Sequence, residues 1–244
     1  MNQISTLEKA NIDNLTRLWQ AASRPFNGFW ETESYNYCFI PGSGWPNKLW
    51  FKEALTLKRL NLAKEEILLK APSLNIPYWG KSQDEIALFK KCGFVISSEQ
   101  VAMYKHLSAL LPFESKLDIK RIRKEGDIVK WSDIYPKAFG YVIHKNTLSE
   151  TVENIHFYLA SYNNRPVGTA MLFYTDNIAG IYGVGIVPQA RRKGFAEQMM
   201  VFVLNEAMRN NAKTAVLQAS SMGKNLYTHL GFEEQFIIKN YKTT

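Results

Sequence analysis

The chain has 244 residues, 46% hydrophobic and 21% charged, a balance that excludes a disordered chain and suffices for one large or two smaller cores. Its apolar runs fall far short of the ~20 residues that cross a bilayer, and residues 1–13 carry neither an apolar signal core nor a cleavage site, so the expected location is the cytoplasm, with no membrane partner. The formal charge of +8 favours a polyanionic partner such as a nucleotide cofactor with several phosphates, but no nucleic-acid-reading module is recognisable, so none is expected to bind.

In chain order, Ile12, Leu15, Leu18, Trp19 and Ala22 recur at helical spacing, and Pro25 ends the pattern. A strand is expected around Tyr35 to Ile40, then the turn Pro41 to Gly44, then an apolar run ending Lys48-Leu49-Trp50-Phe51. Cys38 and Cys92 stand among apolar neighbours without metal-ligand spacing and read as buried thiols. Ser82 to Lys91 reads as a short helix capped by Ser82 or Asp84, with Gly93 at a left-handed C-terminal position. The pattern breaks near Leu111-Pro112, which divides the chain into residues 1–112 and 113–244.

Beyond the break, the basic stretch Lys116 to Lys124 partly alternates with Leu117, Ile119 and Ile122, as on a strand with one wet face. A helix near Ile128 to Phe139 follows, then strands at Ile155 to Tyr162, Gly168 to Tyr174 and Ala179 to Val187, joined by tight turns at Asn163-Asn164 and Asp176-Asn177. Phe195 to Arg209 then carries Ala196, Met199, Met200, Val203, Leu204 and Ala207 on one helical face. A strand at Thr214 to Ala219, a short helix ending at Leu230-Gly231 and a strand at Phe236 to Tyr241 complete the order. The expected class is α/β of the α+β type, a mixed and largely antiparallel sheet flanked by helices.

Between the third meander strand and the long helix lies Pro188-Gln189-Ala190-Arg191-Arg192-Lys193-Gly194-Phe195-Ala196. A helix start leaves backbone N–H groups unpaired and partly positive, so an anion there gains several hydrogen bonds at once. Gly194 removes a side chain that would hold a pyrophosphate away, Ala196 permits close helix packing, and Arg191, Arg192 and Lys193 add charge. Neither a triphosphatase loop nor a dinucleotide-binding G-x-G-x-x-G occurs.

Arg191-x-x-Gly194-x-Ala196 after Ile186-Val187-Pro188 resembles the coenzyme A signature of the GNAT superfamily of N-acetyltransferases. Leu226-Tyr227-Thr228-His229-Leu230-Gly231-Phe232 resembles that family's later L-Y-x-x-L-G-F. The resemblance covers roughly residues 117–244. It implies a GNAT-like acyl-CoA N-acyltransferase fold that moves an acetyl group from acetyl-CoA to an amine in a ternary complex. It also implies that backbone groups of Ile186 and Val187 hold the pantetheine arm and polarise the thioester carbonyl, and that Tyr227 returns a proton to sulfur. Arg191, Arg192, Lys193, Gly194, Phe195 and Ala196 would hold the pyrophosphate. Ser220 stands where many members carry a cofactor-contacting Asn.

Two departures matter. The strand Ala179 to Val187 lacks the carboxylate that many members use to receive the amine proton; Asp176, Glu153 and His156 are candidate substitutes, each also readable as a surface or structural residue. The base is unassigned, and a non-catalytic acetyl-CoA sensor is the alternative function. His229 reads as a surface residue, and no metal cluster competes with the coenzyme A reading.

Leu88-Phe89-Lys90-Lys91-Cys92-Gly93-Phe94 repeats the frame of Leu226 to Phe232, with Phe89 opposite Tyr227. The first half is thus expected to be a degenerate second GNAT-like copy in tandem, lacking the phenol and the phosphate loop. Its aromatic residues Phe26, Phe29, Trp30, Tyr35 and Trp45 are candidates for an acceptor-pocket wall, with core packing as the alternative.

Overall fold

A computed structural model describes residues 5–71 and 73–243; Met1 to Ile4 of the opening segment lie outside them. Helix α1 (Thr6–Ser23) starts at a reciprocal cap in which the Glu8 N–H donates to the Ser5 hydroxyl and the Ser5 N–H donates to the Glu8 carboxylate. A 3-10 turn at Arg24–Phe26 ends it at Pro25. The strands β1 (Phe29–Glu31), β2 (Tyr35–Cys38) and β3 (Lys48–Phe51) form a small antiparallel sheet. Helix α2 (Leu57–Lys70), β4 (Ile76–Tyr78), α3 (Gln83–Lys91) and β5 (Phe94–His106) follow.

The remaining elements are β6 (Asp118–Arg121), α4 (Glu125–Phe139), α5 (Lys145–Thr151), β7 (His156–Tyr162), β8 (Arg165–Thr175), β9 (Ile178–Ile186), α6 (Phe195–Arg209), β10 (Thr214–Ala219), α7 (Lys224–His229) and β11 (Glu233–Thr243). Together with β4 and β5, their strands make one sheet ordered β4-β11-β5-β10-β9-β8-β7-β6, antiparallel except where β10 meets β9. The expected class, a mixed and largely antiparallel sheet flanked by helices, is the observed one. The basic strand β6 is an edge of this sheet, which keeps Lys120 wet.

The two faces of the sheet are covered differently. Phe157 meets Trp131 of α4 with ring centroids 5.3 Å apart, while its neighbour Tyr158 meets Phe202 of α6 at 5.6 Å. Successive strand residues point to opposite faces, so α4 and α6 lie on opposite sides.

The division at residue 112 falls in the connection between β5 and β6, and the two sides share the sheet. In each half a strand, a short helix and a positive-φ glycine (Gly93, φ 76; Gly231, φ 82) lead into a long strand. The long strands are exchanged. β5 of the first half pairs with β10 of the second, β11 of the second pairs with β4 of the first, and β5 and β11 pair with each other. Tyr241 of β11 accordingly packs in the core of the first half, its ring stacked on Phe89 at 3.8 Å.

Helix α2 and strand β5 were not foreseen. Helix α2 buries only Leu60, Ala63 and Ile67 and leaves Leu62, Leu68 and Leu69 exposed, which blurs its apolar stripe. Strand β5 has an exposed polar centre, Ser97 to Glu99, in place of an alternating pattern. Both cysteines are buried and free; the Ser23 hydroxyl donates to Cys38 Sγ at 3.1 Å, and burial pushes the Cys38 thiol up to about 12. No helix among the described residues is long and apolar enough to cross a membrane.

Candidate active site

Strands β9 and β10 run parallel and pair only from Ile178 opposite Thr214 to Gly180 opposite Val216. Beyond Gly180 they part, although β9 continues to Ile186 and β10, still paired to β5, continues to Ala219. An irregularity in the β8–β9 register between Thr169 and Met171 bends β9 at Gly183, whose φ is +55 and whose carbonyl accepts from the Thr169 hydroxyl at 3.0 Å. The parted strands border a cavity of about 680 Å³, lined on one side by Ile181 to Val184 and on the other by Leu217, Gln218, Ser220 and Tyr227.

At the far end of β9 the chain turns through Pro188–Ala190 into α6. Arg192 (φ +61) and Gly194 (φ +73) are left-handed, so successive amides curl into a concave nest. Among the described residues, the N–H groups from Arg192 to Glu197 have no protein acceptor; the first satisfied one is that of Gln198, which donates to Gly194 O at 3.1 Å. Space above Gly194 is open, because a Cβ there would meet nothing nearer than Gln198 Nε2 at 3.9 Å. The glycine is required by its φ, and it also leaves the nest uncovered.

The motif side chains divide by role. Arg191 turns inward: its Nε donates to Ile186 O at 3.0 Å and its Nη2 to Ala138 O at 3.4 Å, tying the end of β9 to α4. Arg192 is exposed, and the Lys193 ammonium sits 5.7 Å over the Tyr162 ring. Phe195 is buried against Tyr162, so only its backbone is available to a ligand, and Ala196 is half-buried. Ser220 is exposed just after β10, its carbonyl accepting from Gly223 and Lys224.

The Val187 N–H donates to Val167 O at 2.9 Å and so is not free to donate to a ligand as expected; its carbonyl accepts from Ala190 N–H at 2.9 Å and keeps a second lone pair. Antiparallel ladders alternate, so Ile186, opposite Gly168, directs its backbone away from β8 and toward the side that β10 has vacated. With the Ile186 carbonyl held by Arg191, its N–H is the open donor.

Tyr227 lies on α7 with its ring against Phe232 and its side chain in the cavity wall. Burial pushes its phenol up to about 12, and the hydroxyl has no protein partner among the described residues. Its counterpart Phe89 is fully buried and does not line this cavity. Asp176, Glu153 and His156 do not line the cavity. His156 is packed on Tyr174, and burial, aided by Arg121 and Arg123, lowers it to about 4. His229 closes α7 and does not line the cavity either.

The first half supplies much of the opposite wall. Trp45 lines the cavity, but Phe29 stacks on Trp50 and Trp30 on Tyr37, and Phe26, Phe29, Trp30 and Tyr35 do not reach it. Lys48, Asn75, Glu99, Gln100 and Asn240 also line it and were not singled out in the sequence. Asn14, buried on the apolar face of α1, supports the wall by accepting from the Tyr182 hydroxyl. A polar residue in a helix's apolar stripe, as at Asn11 and Asn14, is the signal that could have drawn attention here. No group of three or more His, Cys, Asp or Glu among the described residues is placed to hold a metal.

Residues 153–234, which run from the end of α5 into β11, match the family model described as an acetyltransferase (GNAT) domain. These residues are a GNAT domain. The parted strands, the nest before α6 and Tyr227 all fall within this GNAT segment. The GNAT fold extends over most of the chain. A structure titled GCN5-related N-acetyltransferase from Kribbella flavida is similar over 91% of this chain and 93% of its own, with a TM-score of 0.67 and 15% identity. One from Sphaerobacter thermophilus is similar over 85% and 76%, with a TM-score of 0.65 and 16% identity. A tandem GNAT protein from the clavulanic acid biosynthesis pathway is similar over 85% and 77%, with a TM-score of 0.58 and 9% identity. No curated protein matches the sequence.

Proposed function

We propose that the protein is an N-acetyltransferase that takes acetyl-CoA as acyl donor and an amine as acceptor, reacting in a ternary complex. The observation that carries this reading is that three features meet on one parted strand pair: an unpaired N–H nest at its end, an open Ile186 N–H along it, and an unpartnered phenol across it. The nest from Arg192 to Glu197, flanked by Arg192 and Lys193, would hold the pyrophosphate, Ser220 would border the donor, and the gap beyond Gly180 would take the pantetheine arm. Phe195 and Ala196 would contribute backbone N–H groups only.

In the reaction a neutral amine adds to the thioester carbonyl, the C–S bond breaks, and the amine proton must leave as sulfur gains one. Ile186 N–H is the preorganised donor for the developing oxyanion. Tyr227 is held in its protonated form across the neutral range, so it can hydrogen-bond the departing thiolate and relay a proton to it. Its pKa lies above that of an ordinary thiol, ~8.5, so a proton passed to sulfur is replaced from the acceptor side. Glu99, which lines the cavity from β5, is the proposed receiver of the amine proton. On this reading the first half is a degenerate second copy that kept its strands and lost its donor site.

The test is thiol release from acetyl-CoA against a panel of amines. Tyr227→Phe should lower kcat about a hundredfold while calorimetry shows acetyl-CoA still bound. Acetyl-CoA binding without turnover on any amine would replace this reading with an acetyl-CoA sensor, and no binding would remove both.

A further inference from the structure

Lys48 is the single lysine or arginine among the residues lining the cavity, and Glu99 is the single carboxylate. Lys48 opens β3, and the chain on either side of it is fixed: Leu49 N–H donates to Asn75 O at 3.0 Å and Asn75 N–H to Asn47 O at 3.2 Å. The side chain runs into the cavity, where Nζ donates to Asn240 Oδ1 over a long 3.4 Å. Asn240 is buried, and its own amide donates to Gln100 Oε1 at 3.2 Å. Among the described residues no carboxylate stands within ion-pair distance of Lys48. An ammonium carries three donors, so a single long contact leaves most of its capacity unused.

Lys48 is half-buried, and a lysine partly drawn out of water without an anion is costly to the fold; burial lowers it to about 8. The cavity therefore presents one underpaired cation and, on β5, one carboxylate. We infer that Lys48 receives the carboxylate of the acceptor, so that the substrates are free amino acids, carrying amine and carboxylate in one molecule. This rests on the acetyl-transfer reading above. A zwitterion satisfies both charges of the wall, whereas a polyamine would set a second ammonium against Lys48. A phosphate dianion would meet only one cation and the Asn240 amide. Trp45, Phe139 and Tyr141 line the same space and offer apolar surface to a side chain.

The experiment compares kcat/KM, at saturating acetyl-CoA, for amino acids, their amides and their decarboxylated amines, in wild type, Lys48→Met and Lys48→Arg. In wild type the best amino acid should exceed its own amide by about ten- to a hundredfold, the worth of a charge-assisted contact. Lys48→Met should collapse that ratio toward one, and Lys48→Arg should keep part of it. A wild-type ratio near one, or a ratio that survives in Lys48→Met, overturns the proposal. If no acceptor turns over, calorimetry of the acetyl-CoA-loaded protein with the same amino acids decides. Binding in wild type that Lys48→Met abolishes supports it, and no binding overturns it. Failure to bind acetyl-CoA itself is a separate reading and removes the parent function as well.

Discussion

Gly180 of β9 faces Asn14 of α1 so closely that a Cβ on the glycine would lie 1.9 Å from Asn14 Oδ1. Asn14 is held in turn, its Nδ2 donating to Phe173 O at 3.2 Å and to the Thr175 hydroxyl at 2.8 Å. Gly180 is also the last residue of β9 paired to β10, so the helix of the first half is wedged where the two strands part. Gly180→Ala should cost about 1–3 kcal/mol in urea unfolding, the range for overpacking a filled core. It should also raise the acceptor KM. An unchanged midpoint would show that α1 yields freely.

The second prediction separates strain from access at the nest. Gly194→Val places a β-branched residue at φ +73 and should cost about 1–2 kcal/mol of stability while raising the KM for acetyl-CoA about tenfold. Gly194→Asn tolerates the left-handed conformation, so its stability should stay near wild type. If its acetyl-CoA KM still rises, the bare backbone is needed for the ligand's approach.

Lys48 also makes a stability prediction whose sign follows from its lowered pKa. From an ordinary value of 10.5 it falls to about 8, so the unfolded chain binds its proton more tightly than the folded one. The folded state is therefore penalised in full below about pH 8, and the penalty fades as pH rises toward 10.5. Glu99 on β5 and the phenols of Tyr135, Tyr141, Tyr182 and Tyr227 line the same cavity; burial alone lowers Lys48, and burial holds the phenols neutral there. Lys48→Met should be more stable than wild type at neutral pH, and the gap should narrow in denaturant titrations at about pH 10. A gap that widens with pH would refute the assignment.

A fourth prediction concerns the strand exchange. Residues 113–244 alone would lack β5, leaving β10 and β11 without the strand that lies between them. Expressed alone, this segment should aggregate or stay unfolded, and co-expression with residues 1–112 should recover soluble protein. A soluble, folded 113–244 segment would show that β11 can move over to pair with β10.

The legible parts of the site were those written contiguously. The bounds expected for α6 and β10 are those observed, and the nest falls where Arg191, Gly194 and Ala196 placed it. The Val187 N–H is committed to β8 because the side to which a strand amide points depends on its register with that strand, which no local pattern reveals. Lys48, Glu99 and Asn240 come from three distant segments brought together by the exchange of β5 and β11, and none sits in a motif. Phe29 and Trp30, candidates for the pocket wall with packing as the alternative, stack on Trp50 and Tyr37 of the small sheet and do not line the cavity.

The exchange also bears on how the chain is made. Synthesis runs from the N-terminus, so β4 and β5 emerge long before β10 and β11, the strands that will flank them. Until the last segment appears, β5 is a long strand with both edges bare, the kind of template on which nascent chains stick together. Its centre, Ile96-Ser97-Ser98-Glu99-Gln100, is mostly polar and includes a charge. The composition that hid this strand from sequence patterning thus also guards it on the ribosome, through the interval in which its neighbours do not yet exist.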